Sequence, residues 1–466
     1  MNRPDKKPSI LFATGVGTVT GANFLLETPA GTKILIDCGM VQGEKVAGEE
    51  NRERFPYDLA SVHALVVTHA HLDHVGRIPK LVKEGYKGPI YSTPQTKELA
   101  ELVLTDVAGI LAEEARREGR DPIYTLNDVP GVFPQWKTVE YHTPTQIAPD
   151  VSIFLKEAGH ILGSSMIEVT LKDQKGTKIL FTGDLGNSPA PLLRDTEPVG
   201  DVDYMVMESC YGDRNHENRE TRAEELEGII KAALARGGTL VIPAFSIDRT
   251  QVLLYELNNM VEKGRLPSVP IFVDSPMGIK ATDIYRSNID LFNDAAKAQI
   301  RGGDDIFKFP RLEFTMTQGD SQGIDHMKGA KIILAGSGMS VGGRIISHEA
   351  HYLPDPKSTI MLVGYQSPGS LGRALADGVK SVHIHGEDIA VRAHIETMYG
   401  YSAHKDSDHL VEFVATAGDD AGKHKLKQVF VAMGEPGASM HLAQRLNDEL
   451  GVKAMMPERL KTYELN

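Results

Sequence analysis

Thr68-His69-Ala70-His71-Leu72-Asp73-His74 follows directly on the apolar run Ala64-Leu65-Val66-Val67. Three imidazoles and a carboxylate thus fall at the end of what reads as a buried strand, which directs them into one pocket at the sheet's edge. Neutral imidazole and carboxylate suit a borderline cation such as Zn²⁺, three protein ligands to an ion with a place left for water. The alternation His69/His71 and the adjacent pair Asp73/His74 let one short loop serve two neighbouring ions. A merely solvated His-rich loop does not account for this order behind an apolar strand. The stretch reads as a metal site.

The chain has 466 residues, enough for two or three domains with separate cores. Its 41 % hydrophobic and 24 % charged residues are those of an ordinary soluble globular protein. No run approaches the ~20 apolar residues of a membrane helix, and Met1-Asn2-Arg3-Pro4-Asp5-Lys6-Lys7 has no signal-peptide core. A cytoplasmic protein with no membrane partner is expected. Cys38 and Cys210 give no disulfide framework and read as small buried thiols rather than ligands. The net charge of −13 argues against indiscriminate nucleic-acid binding. It leaves room for a local basic groove, which depends on where charge lies and not on its sum.

Around the cluster, Ser9–Ala13, Asn23–Thr28 and Lys33–Asp37 read as short strands separated by Gly-rich turns, an antiparallel opening. The third ends in Ile36-Asp37-Cys38-Gly39, where Asp37 is either a turn former or a carboxylate that fixes a liganding imidazole. From Ala64 the pattern changes to strand followed by helix. Ser92-Thr93-Pro94 starts a helix, with Leu99, Leu102, Val103, Val107, Ile110 and Leu111 at helical spacing. His160, in Glu157-Ala158-Gly159-His160-Ile161-Leu162-Gly163, reads on its own as an ordinary loop histidine. Beyond strand Met166–Leu171, the run Lys178-Ile179-Leu180-Phe181-Thr182-Gly183-Asp184 ends in a carboxylate beside a Gly turn. From such a place one group can bridge two cations.

In this order, Asp37, His69/His71/Asp73/His74, His160 and Asp184 resemble the metallo-β-lactamase signature. The resemblance implies an α/β fold, the αββα sandwich, with a dinuclear zinc cleft at one edge. It implies that one ion takes His69, His71 and His160, that the second takes Asp73 and His74, and that Asp184 bridges.

Past the strand that ends in Glu208, strands and helices alternate, with loops at the strand ends: a helix over Thr221–Arg236, then strands at Thr239, Ile271, Lys331 and Thr359. That is the pattern of a parallel α/β sheet. The block resembles the β-CASP domain, an insertion that splits the lactamase fold in nucleases such as RNase J. It divides the chain into 1–207, the first part of the lactamase domain, 208–396, the β-CASP domain, and 397–466, the remaining lactamase part. Glu208 matches the family's motif A, and His404 in Gly400-Tyr401-Ser402-Ala403-His404-Lys405-Asp406 its motif B. The match covers essentially the whole chain and is to the compact bacterial type.

Motif C departs from the family. Where a His is expected, Val429-Phe430-Val431-Ala432-Met433-Gly434-Glu435 carries Met433, and a thioether is a weak ligand for zinc. His441, eight residues on in a helix, is not expected to reach. Three readings stand: the second ion binds weakly through Asp73, His74 and Asp184, or the protein runs on one ion, or the cleft is catalytically impaired.

Phosphodiester hydrolysis needs an activated water, neutralised phosphate charge and a proton for the departing oxygen. Zn²⁺, as one or two ions, supplies the first two. The catalytic set is Asp73, His404, Glu208 and Asp37, with His404 the general acid poised by Glu208. Substrate holding falls to Ser337, Gly338, Ser340, Gly343 and Arg344, since N–H groups opening a helix bind phosphate and Arg344 can fork onto it. Arg249 and Arg373 resemble positions near the family's RNA path, or serve as structural ion pairs. His348 and His351 line the groove or are surface residues. No aromatic recognition motif is evident, so modest sequence preference is expected. The expected function is a zinc-dependent endoribonuclease on single-stranded RNA, with 5′-exonuclease action as a further mode. The alternatives are an impaired RNA-binding partner subunit and a small-molecule metallohydrolase. A homodimer through the lactamase part is suggested by the resemblance alone.

Overall fold

The computed structural model describes residues 6–43, 48–216, 220–417 and 426–466; residues 1–5, part of the amino-terminal stretch discussed above, lie outside these. Strands β1 (Ser9–Thr14), β2 (Asn23–Glu27), β3 (Lys33–Ile36), β4 (Ala64–Val66), β5 (Ile90–Ser92) and β6 (Trp136–Thr138) lie side by side in chain order. The first three are antiparallel and the rest parallel. A second sheet follows from β7 (Thr145–Ala148), β8 (Val151–Glu157), β9 (Ser165–Leu171), β10 (Lys178–Phe181) and β11 (Tyr204–Met207).

The period of two in these strands decides the layering. Ile10, Phe12, Phe24, Leu26, Ile34 and Ile36 meet Ile153, Leu155, Ile167, Val169, Ile179 and Phe181 in the core between the sheets. The residues between them face outward and are covered by helices. Leu25, Leu35 and Leu65 pack with the helix Pro94–Glu118 through Leu99, Val103, Val107 and Leu111. Met166, Leu180 and Met205 pack with the helices Ser407–Ala415 and Pro436–Leu450. The result is an αββα sandwich. The helix Pro94–Glu118 begins where its sequence dictates: the Thr93 side chain accepts from Thr96 N, and Pro94 occupies the first turn.

After β11 the chain leaves this sandwich. It builds β12 (Thr239–Pro243), β13 (Ile271–Asp274), β14 (Leu312–Phe314), β15 (Lys331–Ala335), β16 (Thr359–Val363), the hairpin β17 (Ser381–Ile384) and β18 (Glu387–Ala390), and β19 (His394–Met398). Six of these form a sheet in the order β14-β13-β15-β12-β16-β19, parallel throughout. Its central strands are buried on both faces, which is why Leu240-Val241-Ile242 and Ile332-Ile333-Leu334 are continuous apolar runs rather than alternating ones. The chain then returns: β20 (Gln428–Val431) pairs with β11, β21 (Ala454–Met455) with β20, and β22 (Lys461–Glu464) with β1. Among the described residues, no helix is long and apolar enough to cross a membrane.

Candidate metal centre

The cluster at the end of β4 is fixed by backbone contacts across the first sheet. Cys38 N donates to His74 O (2.8 Å) and Ala22 N to Asp73 O (2.9 Å). The carbonyl of Asp73 lies 1.5 Å from where a Cβ on Gly39 would sit, so only glycine fits there. The loop after Asp37 and the loop after Thr68 therefore lock together.

His71 Nδ1 lies 3.2 Å from His69 Nε2 and 3.1 Å from His160 Nε2. Asp184 Oδ2 lies 3.5 Å from both His69 Nε2 and His160 Nε2. A tetrahedral zinc site has nitrogen–nitrogen edges of roughly 3.3 Å, given Zn–N bonds of about 2.0–2.1 Å. The distances above are close to that spacing, and all four donor atoms lie within 4.8 Å of one another. The His160 ring is oriented by Nδ1, which donates to Ala403 O (3.2 Å), and Thr68 Oγ1 lies 3.1 Å from His69 Nδ1. Burial holds His69 and His160 well below the usual imidazole range and brings His71 down to about 3, so all three are neutral and ready to ligate.

A second group of Asp73, His74 and Asp184 adjoins the first, with Asp184 common to both. His74 Nε2 is buried without a hydrogen-bond partner, 3.4 Å from Asp184 Oδ1 and 3.8 Å from Asp73 Oδ2. Such an orphaned nitrogen between two carboxylates fits a cation. Asp37 accepts from His74 Nδ1 at 2.7 Å and from Thr68 N and Oγ1 at 2.8 Å, so it fixes an imidazole rather than merely turning the chain. Burial raises Asp73 to about 6. It also disfavours charge on His74, but Asp184, Asp37 and Asp73 outweigh it and hold that imidazole's pKa up.

Met433 borders the same small cavity as Asp37, His74 and Glu208. Its N donates to Gly15 O (2.9 Å), and its side chain joins Phe24, Phe181 and Val206 in the core between the sheets. The second group thus has three oxygen and nitrogen donors where the first has four. His441 bonds Gly212 O (2.9 Å) and belongs to neither.

His404 arrives from the turn after β19. Its Nδ1 donates to Glu208 Oε2 (3.0 Å), Glu208 Oε1 accepts from Leu185 N (2.6 Å), and the ring centroid is 4.7 Å from that of His160. Burial disfavours the charged imidazole, but the Glu208 carboxylate, with Asp184 and Asp73, overrides it and pushes His404 up to about 9. Two supports were not legible in the sequence. His216 Nε2 donates to His404 O (2.8 Å), and Lys405 Nζ to Gly186 O (2.8 Å). Lys405 adjoins motif B, whereas His216 lies in a loop with no periodicity to mark it.

The expected substrate residues are placed differently. Arg344 is drawn inward: its Nη1 donates to Asp274 Oδ1 (2.6 Å) and Thr315 O (2.9 Å), and its Nη2 to Met316 O (2.7 Å). Asp274 is fully buried at the end of β13, and a buried carboxylate needs opposite charge, so it recruits Arg344 and also His348 Nε2 (2.7 Å). Arg344 therefore belongs to the frame of the Gly-rich loop, and His348, 1 % exposed, does not line a groove. The loop folds on itself: Ser337 Oγ accepts from Val341 N (3.1 Å), Ser340 Oγ donates to Glu349 (2.5 Å), Gly338 packs against Phe245 and Gly343 lies against Gly336 O. Arg249 sits beside Asp248 (3.9 Å) and lines a cavity with His160, Arg222 and Tyr401. Arg373 pairs with Asp377 (3.0 Å) on an exposed helix face, and His351 packs on Tyr352.

The Asp274–His348 pair has a pH signature. Burial lowers His348, but hydrogen bonds to Asp274 and Asp325 override it and raise it from 6.5 to about 9. A raised folded-state pKa contributes stability that is fully present below about pH 6.5 and lost as pH climbs through 9. The melting temperature is expected to fall between pH 6.5 and 9.5, and more steeply than in His348→Gln. Equal slopes in a thermal-melt series would remove this pair as the cause.

Comparison with known proteins places these groups in context. Residues 16–227 match the metallo-beta-lactamase superfamily, residues 250–375 the Beta-Casp domain, and residues 388–457 the Zn-dependent metallo-hydrolase RNA specificity domain. Ribonuclease TTHA0252 from Thermus thermophilus is 35 % identical over 418 residues, 90 % of this chain and 93 % of that protein. Transcription termination factor FttA from Methanosarcina mazei is 30 % identical over 456 residues, 95 % of this chain and 69 % of that protein. The crystal structure of a protein of unknown function from Enterococcus faecalis V583 aligns with a TM-score of 0.53 at 12 % identity, over 99 % of this chain and 100 % of that one, a likeness of fold.

Proposed function

This chain belongs to the β-CASP family of the metallo-β-lactamase superfamily, a family of metal-dependent nucleases, and we propose that its reaction is zinc-assisted hydrolysis of single-stranded RNA. The observation that carries this reading is the His404–Glu208 pair set beside a three-imidazole, one-carboxylate cluster, with Asp184 in reach of both. The similarity to a ribonuclease over nine-tenths of the chain supports RNA as the substrate.

His69, His71, His160 and Asp184 would hold a divalent ion, which would supply an activated water and offset negative charge on the phosphate. His404 does the rest of the proton work. Its Nδ1 is committed to Glu208, which leaves Nε2 for the substrate. As water adds to phosphorus, releasing a proton to solvent, and the P–O bond breaks, Nε2 gives its proton to the departing oxygen. Glu208, itself anchored by Leu185 N, keeps the imidazole charged until then. Substrate holding falls to Arg249, Arg373 and the backbone of the Ser337–Gly343 loop. Domain limits at 207 and 396, a cytoplasmic location and a homodimer through the lactamase part complete the proposal.

The test is incubation of an end-labelled single-stranded RNA with protein loaded with zinc or manganese. Internal cuts that stop on chelation are expected. Intact RNA alongside turnover of a chromogenic lactam or a thioester would replace the nuclease with a small-molecule hydrolase.

The three-donor second group favours weak occupancy there, because Met433 brings sulfur where an imidazole would complete the shell. Met433→His is expected to raise bound zinc from about one to about two ions per chain after dialysis, read by elemental analysis. An unchanged count would show that position 433 does not contribute to the second metal site. Cleavage by Met433→His alone would make the native chain an RNA-binding partner rather than an enzyme.

A further inference from the structure

β16 and β19 run side by side in the same direction, with Val363 opposite Met398. Beyond these residues the chain continues into Gly364-Tyr365 on one strand and Tyr399-Gly400 on the other. Gly364 N still donates to Met398 O (3.1 Å), so the two tyrosines leave neighbouring strand ends together. Ser402 N then donates to Tyr399 O (2.8 Å), closing the turn that delivers His404. Tyr211 ties the group to the proton donor: its ring centroid is 6.0 Å from Tyr365 and 6.2 Å from His404.

These rings differ in burial. Tyr211 is 2 % exposed and packed between its neighbours, whereas Tyr399 is 43 % exposed. Among the described Phe, Tyr and Trp side chains, Tyr399 is the one that is exposed. It stands five positions before His404, at the start of the turn that carries it. Packing accounts for Tyr211. The fold does not require an aromatic ring in water at the end of β19, where a polar residue would serve the turn equally well.

We propose that Tyr399 is a stacking platform for the nucleobase on the leaving-group side of the scissile phosphate. The proposal rests on the RNA-hydrolase reading above. The nucleotide carrying the oxygen that His404 protonates would then lie on the side of the turn that Tyr399 opens. Every base offers a π face, so the platform binds without reading sequence. Bases in a duplex are already stacked on each other, so it favours single strands. Tyr365, its hydroxyl bonded to the Glu435 carboxylate, is held beside it at the end of the neighbouring strand.

Steady-state kinetics on a short single-stranded RNA test this. Tyr399→Ala is expected to raise KM roughly 5- to 150-fold with kcat within about twofold, the signature of lost uniform binding. Tyr399→Trp is expected to keep the wild-type KM. An abasic residue at the leaving-group position should raise KM for the wild type by a similar factor and add nothing in Tyr399→Ala. An unchanged KM in Tyr399→Ala, failure of Trp to rescue, or an equal abasic penalty in both proteins would overturn the platform. A wild type that binds this RNA without cutting it loses the reaction assigned above. In that case the same comparison of Kd by fluorescence anisotropy decides the platform by itself.

Discussion

His404→Ala is expected to slow RNA cleavage by about 10²- to 10⁴-fold while the bound metal stays at the wild-type level. The range is that of a positioned proton donor removed from a transition state in which the leaving oxygen carries charge. Two features suit His404 to that role. Its Nδ1 is fixed on Glu208, and that carboxylate outweighs burial to keep the ring protonated through neutral pH. The alternative is also built into the site, because His404, Glu208 and Asp184 lie close enough together to hold an ion. Elemental analysis separates the two. Metal lost with the imidazole would make His404 a ligand and leave the leaving oxygen without an assigned acid.

Asp184→Ala is expected to abolish cleavage and to weaken metal binding by more than about 100-fold, a larger effect than losing an outer-shell partner. Asp184 is the one residue common to every candidate group in the centre. Burial opposes its charge, yet the charged His74 imidazole beside it outweighs that and holds its carboxyl far below the usual range, so it is an anion. Its removal would take away a negative charge shared by both candidate groups. Competition with a chelating dye measures the change. Affinity equal to wild type would show that the three imidazoles suffice and that Asp184 only orients them.

The metal centre was legible because its donors are local. His69, His71, Asp73 and His74 occupy one turn after an apolar strand, and their chemistry is visible in any arrangement that keeps the turn. Asp184 showed itself in the same way, at a strand end beside glycine. His160, Glu208 and His404 were visible only through the order of motifs, since each taken singly is an ordinary polar residue.

Arg344 and His348, next to the Gly-rich loop, were harder to place for a physical reason. The loop's glycines announce a tight turn, but Arg344 and His348 are claimed by Asp274, which is 70 residues from Arg344 and buried by strands that the local sequence does not reveal as its neighbours. Tyr399 was missed because one ring gives no pattern. Its meaning comes from β16 lying alongside β19.

The pairing of β11 with β20 has a consequence for how the chain is made. Between Met207 and Gln428 the ribosome must synthesise the whole inserted sheet, at about 5–20 residues per second, or on the order of 10–40 s. The inserted unit has all its strands before its host has the partner of β11. For that interval the host presents an unpaired strand edge, the kind of surface that templates aggregation. The barrier to making this protein is therefore kinetic and lies in the host: a guest that finishes early protects itself, and the metal-binding half that was begun first is sealed last.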